Sequence, residues 1–344
     1  MKIAYSCAGE GFGHASRMAA LSPYLEKKYR VYYFIPFTMI DFLKKRIPGK
    51  IFRCIPYFTF IRNMNKIQLA KTFISSMVNI VSFPQTVMAL SKYLRKLRID
   101  VVISDFEPYL PWAARLAGIP VIQMNHPGID RKHISVNPIS WLAAAAAFLM
   151  EGPYNKCIHI SFYHGDTGPV IRRGLLQQQK VNGNFILVNI KSAIREKVLT
   201  QLQSYCDIPF VVYPNPDGDF ERDMNCCLAV ISNAGHQTLS EALVLRKPVL
   251  SIPEENQYEQ ILNARMLKES GLGEWCFVEC VGPAMTRFLA NLSAYQMPRI
   301  LPPGFNIEDS TSELHETLDR FIMQLTGKES ISIGPEKHTE SHSA

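Results

Sequence analysis

The chain lacks the cysteine spacing that marks a zinc site or a disulfide framework. Its eight cysteines are scattered, Cys226 and Cys227 being adjacent and Cys276 and Cys280 lying three residues apart, and no Cys-x-x-Cys pair occurs. Such thiols fit a reducing cytoplasm, and no metal is expected. Long apolar runs are also missing: the longest window, Ile139 to Met150, is too short for a membrane span. Residues 2–6 run as a short strand into glycines, without the basic and apolar regions of a secretory signal. The glycines at 9, 11 and 13 do not meet the dinucleotide fingerprint G-x-G-x-x-G. Acidic residues are scarce in the first half, where 21 Lys plus Arg face 8 Asp plus Glu over residues 1–160, a net of +13 against −6 for the remainder. This asymmetry suits an anionic surface or substrate, although a solvated basic face gives the same count.

At 344 residues and 47% hydrophobic content, the chain is long enough to bury two cores. The strand Ile3–Cys7, the glycine loop of residues 8–17 and a helix through about Lys27 make the start of a Rossmann-like unit. His14 stands where that helix begins, and the helix dipole opposes its protonation, keeping a neutral imidazole available as a base. Strands are expected at 31–36 and 51–58. Residues 60–98 have helical spacing with interleaved Lys and Arg, read either as a core-packed helix pair or as a basic amphipathic helix on an anionic bilayer. The apolar strand 100–104 ends in Asp105-Phe106-Glu107, and 120–124 ends in Asn125-His126. Asp105 is placed to hold His14 in one tautomer, with Glu107 and His126 as further cleft candidates, although helix capping explains each as well. Trp141 to Met150 reads as an apolar helix packed inside or against the other domain.

In the second half the central stretch is 232–267. The apolar run Leu228–Ile231 turns through Asn233, Ala234 and Gly235 into a helix whose first turn, His236, Gln237 and Thr238, presents free amides and a positive dipole end suited to a phosphate. Glu241 lies one turn on, where a carboxylate could accept hydrogen bonds from vicinal hydroxyls. A second strand, Pro248–Ile252, leads through Pro253 to a helix from about Tyr258 that carries Glu259 and Gln260. Lys191 and Ser192, after the strand 185–190, are possible phosphate contacts, with a plain N-cap at Ser192 the alternative. Asp217-Gly218-Asp219 sits among turn residues and reads as a turn.

This order resembles the donor-binding half of two-domain nucleotide-sugar glycosyltransferases of the GT-B fold. The likeness covers the turn at Gly235, Thr238, Glu241, Lys247-Pro248, Pro253, Glu259-Gln260 and Asn263-Ala264. The loop at 8–17 is similar to the first loop of the same enzymes, in the branch that includes the lipid-linked peptidoglycan N-acetylglucosaminyltransferase and is family-28-like. The usual glycine before Lys247-Pro248 is replaced by Arg246, which leaves a non-catalytic binding protein open. The resemblance implies an α/β protein of two Rossmann-like domains facing each other across a cleft: residues 1–168 for the acceptor, 169–326 for the donor, a final helix at about 310–325 crossing back to the first domain, and a flexible tail over 327–344. It implies that Gly235 to Thr238 hold the pyrophosphate, Glu241 the ribose, and Glu259 with Gln260 the sugar. His14 would be the base toward the acceptor, with Gly11, Gly13 and Arg17 beside it. The implied reaction is inverting and metal-independent. The co-substrate the resemblance implies is a nucleoside-diphosphate sugar, UDP-linked, with UDP-GlcNAc the candidate donor, and it implies no other cofactor and no nucleic acid. The acceptor would be lipid-linked or a cell-envelope glycan, reached from the cytoplasm with peripheral contact to the inner membrane face. A nucleotide-sugar 2-epimerase is the rival within the fold, and a sugar-nucleotide-binding scaffold the rival outside catalysis.

Overall fold

The apolar strand runs, buried on both faces, build two parallel sheets. The computed structural model describes residues 1–328 except 60, 64, 65, 68, 134–137, 178–182, 191, 256 and 297–299; most of the expected tail therefore lies outside the described residues. The first half forms β1 (Lys2–Cys7), α1 (Gly13–Lys28), β2 (Arg30–Pro36), α2 (Ile40–Arg46), β3 (Phe52–Ile55), a short hairpin of β4 (Arg62–Asn63) and β5 (Lys66–Ile67), α3 (Leu69–Leu97), β6 (Val101–Asp105), α4 (Tyr109–Ala117), β7 (Val121–Asn125), α5 (Pro138–Glu151) and β8 (Lys156–His159). The second half adds α6 (Arg173–Gln177), β9 (Ile186–Asn189), α7 (Ser192–Tyr205), β10 (Phe210–Tyr213), α8 (Phe220–Cys226), β11 (Ala229–Ser232), α9 (His236–Val244), β12 (Val249–Ser251), α10 (Tyr258–Glu269), β13 (Gly273–Trp275), α11 (Val281–Ala290), α12 (Leu292–Gln296) and α13 (Thr311–Thr326).

The first sheet has the order β3-β2-β1-β6-β7-β8 and the second β10-β9-β11-β12-β13, with every pairing in them parallel. Parallel strands of this kind need cover on both faces. Ile3, Tyr5 and Ile103 pack with α1, α2 and α13, while Ala4, Phe34 and Val102 pack with α3 and α4 on the opposite face. In the second sheet Leu187 and Val230 meet α9 and α10, and Val188 and Ile231 meet α7 and α11. Strand order reverses between β1 and β6 in one sheet and between β9 and β11 in the other. Ligands of doubly wound sheets bind at such points, beyond the strands' carboxyl ends.

The chain passes between the cores near residue 170: Val170 packs in the first core and Ile171 in the second, where Phe162 and Tyr163 already pack. It returns at the end: Leu314, Leu318 and Ile322 of α13 are buried in the first core. There Asp319 accepts from Tyr29 Oη at 2.8 Å, and His315 stacks on Tyr24 with ring centroids 3.7 Å apart.

One helical expectation changes. The 60–98 segment carries one long helix, α3, with Pro84 inside it, rather than a helix pair. Only its later half packs fully, through Val87, Ser91 and Leu94, while Ile74, Val78 and Val81 stand exposed. The apolar helix at 141–150 packs against the second domain, where Ala143 meets its core and α5 contacts α10, but only one side of it is covered. Ala144, Ala147 and Glu151 of α5 face inward, but Trp141, Leu142, Phe148 and Leu149 are more than half exposed. Among the described residues, no helix is long and apolar enough to cross a membrane.

Candidate active site

Both switch points open into one interdomain cleft of about 2140 Å³. From the first domain it is lined by the loop after β1, including Gly9, Gly11, Phe12, Gly13, His14 and Arg17, and by Phe106 and Glu107 after β6. From the second it is lined by Asn189, Asn233, Gly235 to Thr238, Glu241, Glu259 and Gln260.

At the centre, His14 Nδ1 lies 2.7 Å from Asp105 Oδ1. Arg17 donates to the same carboxylate twice, Nε to Oδ2 at 2.7 Å and Nη2 to Oδ1 at 2.8 Å. Asp105 is fully buried and Arg17 nearly so. Burial pushes the Asp105 carboxyl up, but the Arg17 guanidinium and then His14 hold it below the ordinary carboxylate range. An ionised carboxylate only accepts hydrogen bonds, so His14 carries its proton on Nδ1 and keeps a lone pair on Nε2. Phe106 adopts a left-handed backbone (φ 60°), and its ring lies parallel to that of His14 at 5.8 Å. Held in this conformation, a bulky residue costs of order 1 kcal/mol, a cost usually found where a site fixes it.

The turn into α9 differs in detail from the sequence reading. Gly235 has φ −65° and ψ 127°, which any residue adopts; Ala234 is the residue in the left-handed region (φ 59°). What Gly235 contributes is room, because a Cβ there would meet nothing within 4 Å. Gly11 does take the left-handed conformation (φ 77°), and at Gly13 a Cβ would stand 3.3 Å from Gln237 Cβ, so its absence lets α1 approach α9. Neither α1 nor α9 has a side chain capping its start. Two positive helix ends therefore face the same space.

Several candidates are occupied otherwise. The His236 side chain is buried and stacks on His126 across the domain boundary, centroids 3.6 Å apart. Burial lowers His126 to about 3, and burial together with His126 holds His236 well below its ordinary value. Both are neutral, so His236 offers an anion its amide rather than a charge. His126 Nε2 donates to Asn263 Oδ1 at 2.8 Å, and Asn263 Nδ2 donates to Ala234 O at 3.1 Å. Glu241 is 1% exposed and grips Arg172, which donates Nε to Oε1 at 2.8 Å and Nη2 to Oε2 at 2.7 Å. Gln237 Nε2 adds a bond to Glu241 Oε1 and another to Val170 O, each 3.0 Å. A ribose at Glu241 would have to share a carboxylate already engaged three times. Gln260 Oε1 accepts from Glu254 N at 2.8 Å and so shapes the loop before α10, while Glu259 lines the cleft.

Glu107 is a helix cap rather than a free cleft carboxylate. It accepts from Tyr109 N at 2.9 Å, Leu110 N at 3.0 Å and Ser6 Oγ at 2.6 Å, and burial pushes it up to about 7. Thr238 Oγ1 accepts from Asn189 Nδ2 at 3.2 Å. Asp219 caps α8 through Arg222 N. Lys191 and the side chain of Ser192 lie outside the described residues. Arg172 and Phe106 escaped sequence reasoning. No spacing marks an arginine as the partner of a carboxylate 69 positions away.

A family model described as "Glycosyl transferase family 1" matches residues 1–293. An uncharacterized glycosyltransferase of Methanopyrus kandleri is 50% identical over 44 residues, which make up 13% of this chain and 13% of that protein. Among solved structures, the glycosyltransferase SnogD from Streptomyces nogalater aligns over 94% of this chain and 99% of its own, at 17% identity and a TM-score of 0.54. The glycosyltransferase VinC in complex with dTDP aligns over 95% of this chain and 100% of its own, at 13% identity and a TM-score of 0.54. At such identities the likeness establishes the shared two-domain fold.

Proposed function

Since the chain belongs to glycosyl transferase family 1, we propose that it transfers a sugar from a nucleoside-diphosphate donor, held by the second domain, to an acceptor hydroxyl on the first, with inversion. The observation that carries this reading is the pairing of His14 with Asp105 on the same cleft as the uncapped start of α9. The acceptor O–H proton passes to His14 Nε2 as its oxygen bonds to the anomeric carbon. The bond from that carbon to the diphosphate oxygen breaks, and its electron pair leaves with the diphosphate. Single displacement from the opposite face inverts the centre. Asp105, kept ionised by Arg17, stabilises the imidazolium that forms. The amides of α9, with those of α1 opposite, stabilise the departing anion, so the leaving group needs no metal. Of the carboxylates lining the cleft, Glu107 and Glu241 are committed to a helix start and to Arg172, which counts against their use as the acid and base of an epimerase.

The resemblance of the loop at 8–17 to the lipid-linked N-acetylglucosaminyltransferase branch supports UDP-GlcNAc as the donor we propose. The acceptor we propose is apolar and lipid-linked. Ile80, Trp112, Leu142 and Leu149 line the cleft and are also exposed, by 43%, 46%, 58% and 68%. The apolar wall of the cleft thus runs out onto an apolar outer face formed by α3, α4 and α5. Contiguous surface of this kind on a strongly basic domain suits contact with an anionic bilayer from the cytoplasmic side.

A thermal-shift series tests the donor. Uridine diphosphate is expected to raise the melting temperature by mass action more than thymidine diphosphate or uridine alone. A protein indifferent to every nucleoside diphosphate would overturn the reading. For the surface, sedimentation with vesicles of anionic lipid should exceed that with neutral vesicles and fall in the Trp141→Ser/Leu149→Ser variant.

A further inference from the structure

Away from the cleft, Glu151, Cys157 and His159 bring a carboxylate oxygen, a sulfur and an imidazole nitrogen within 4.8 Å of one another. We propose that these three side chains bind a zinc ion, one that holds the acceptor-side wall in place rather than taking part in transfer. Cys157 and His159 are alternate residues of edge strand β8 and so share a face. Glu151 closes α5 and is fully buried. The Cys157 Sγ to His159 Nε2 distance is 3.7 Å and that from His159 Nε2 to Glu151 Oε1 is 3.8 Å. Zinc bonds of about 2.3 Å to sulfur and about 2.0–2.2 Å to nitrogen and oxygen put tetrahedral ligands about 3.3–3.6 Å apart. Two of the three ligand pairs are thus within a few tenths of an ångström of that spacing, the third lies within 4.8 Å, and the fourth tetrahedral position is left for a solvent molecule.

The orientation of His159 points its free nitrogen into this space. His159 Nδ1 lies 2.8 Å from Asp166 Oδ2, so its proton is on Nδ1 and the Nε2 lone pair faces Glu151 and Cys157. A carboxylate behind a ligating histidine is the usual orienting partner at zinc sites. The backbone packs closely against the pair, since a Cβ on Gly128 would stand 2.2 Å from Glu151 Oε1 and 2.7 Å from His159 Nε2. Glu151 Oε1 also accepts from Asn125 Nδ2 at 3.0 Å. Arg131 Nη2 lies 2.7 Å from Oε2 but off the hydrogen-bond line, which leaves Oε1 as the ligand atom.

The donor set of thiolate, imidazole and carboxylate selects zinc over magnesium or calcium. Cys157 would ligate as the thiolate, its proton passing to water as the metal binds. None of the three ligands lines the cleft, but Ala147 and Met150, on the same helix as Glu151, do. A metal joining the end of α5 to β8 fixes that wall.

The full chain, stripped with a chelator and dialysed against zinc, should retain one zinc per chain and melt at a higher temperature with zinc but not with magnesium. Cobalt in its place should give a thiolate-to-metal absorption band. Cys157→Ser, which keeps the exposed Cys54 and Cys280, should lose both the band and the bound zinc, as should His159→Gln. Asp166→Asn should weaken binding about 10–100-fold. Absence of the cobalt band in the wild type, or equal zinc retention by wild type, Cys157→Ser and His159→Gln, overturns the proposal and leaves an ion-pair lattice of Glu151 with Arg131 and Asp166 with Lys132. Nucleoside-diphosphate binding is read separately, so neither failure entails the other.

Discussion

His14 Nδ1 and Asp105 Oδ1 are 2.7 Å apart although 91 positions separate them in the chain. The bond fixes the tautomer, so His14→Ala should lower transfer by about 10²–10⁴-fold while leaving the nucleoside-diphosphate thermal shift unchanged. Comparable loss of both would assign His14 to donor binding.

Asp105 gives a pH prediction with a definite sign. Its carboxyl is held below the ordinary value of about 3.9, so the folded state binds fewer protons than the unfolded one. The associated stability is fully present above the unfolded value and is lost as pH falls through the folded one. Melting temperatures of the wild type and Asp105→Asn should differ at neutral pH and converge in strong acid. Removing the carboxylate also strands the buried Arg17, and breaking such a pair costs about 3–5 kcal/mol. A constant gap across pH would contradict the linkage.

The His126–His236 stack predicts acid lability of the domain interface. With His126 lowered to about 3 against an ordinary value of about 6.5, stability is complete above about pH 6.5. It declines below that by about 1.4 kcal/mol per pH unit for each histidine. His126→Phe should flatten this slope in equilibrium unfolding between pH 4 and 6.5, and an unchanged slope would assign the lability elsewhere.

Glu241 and Arg172 should behave as a unit. Arg172→Ala leaves the buried Glu241 without its ion partner, at a cost of about 3–5 kcal/mol. Glu241→Ala leaves Arg172 its second partner, Glu221 Oε1 at 3.4 Å from Nη1, and should cost less, and the double variant should be less unstable than the sum. A double-mutant cycle in denaturant checks the coupling. Donor affinity separates the roles: loss in Glu241→Gln beyond that in Arg172→Lys would place Glu241 on the nucleotide as well.

Gly235→Ala should melt within about 0.5 kcal/mol of the wild type, because its φ suits any residue and nothing lies near the new Cβ. Gly235→Leu should fold similarly but lose the nucleoside-diphosphate shift by filling the space above α9. Retained binding in Gly235→Leu would move the diphosphate away from this turn.

Much of this was legible in the sequence because it is local. Apolar runs of strand length, glycines between strand and helix, and helical spacing placed both Rossmann-like units, the loop at 8–17 and the turn at 233–235. Polar groups at the carboxyl ends of parallel strands then named one edge of each sheet as the site. Local signals could not say what each polar side chain meets. Glu107 and Gln260 do line the cleft, but their oxygens satisfy a helix start and a loop amide that become buried only when the chain folds. Glu241 looked free for a ribose until Arg172 arrived from the interdomain segment. The sequence determined where the strands end and which chemistry stands there, since both follow from periodicity and residue type. Only the tertiary structure decided which charges neutralise each other, because desolvation makes every buried ion seek a partner regardless of its distance along the chain.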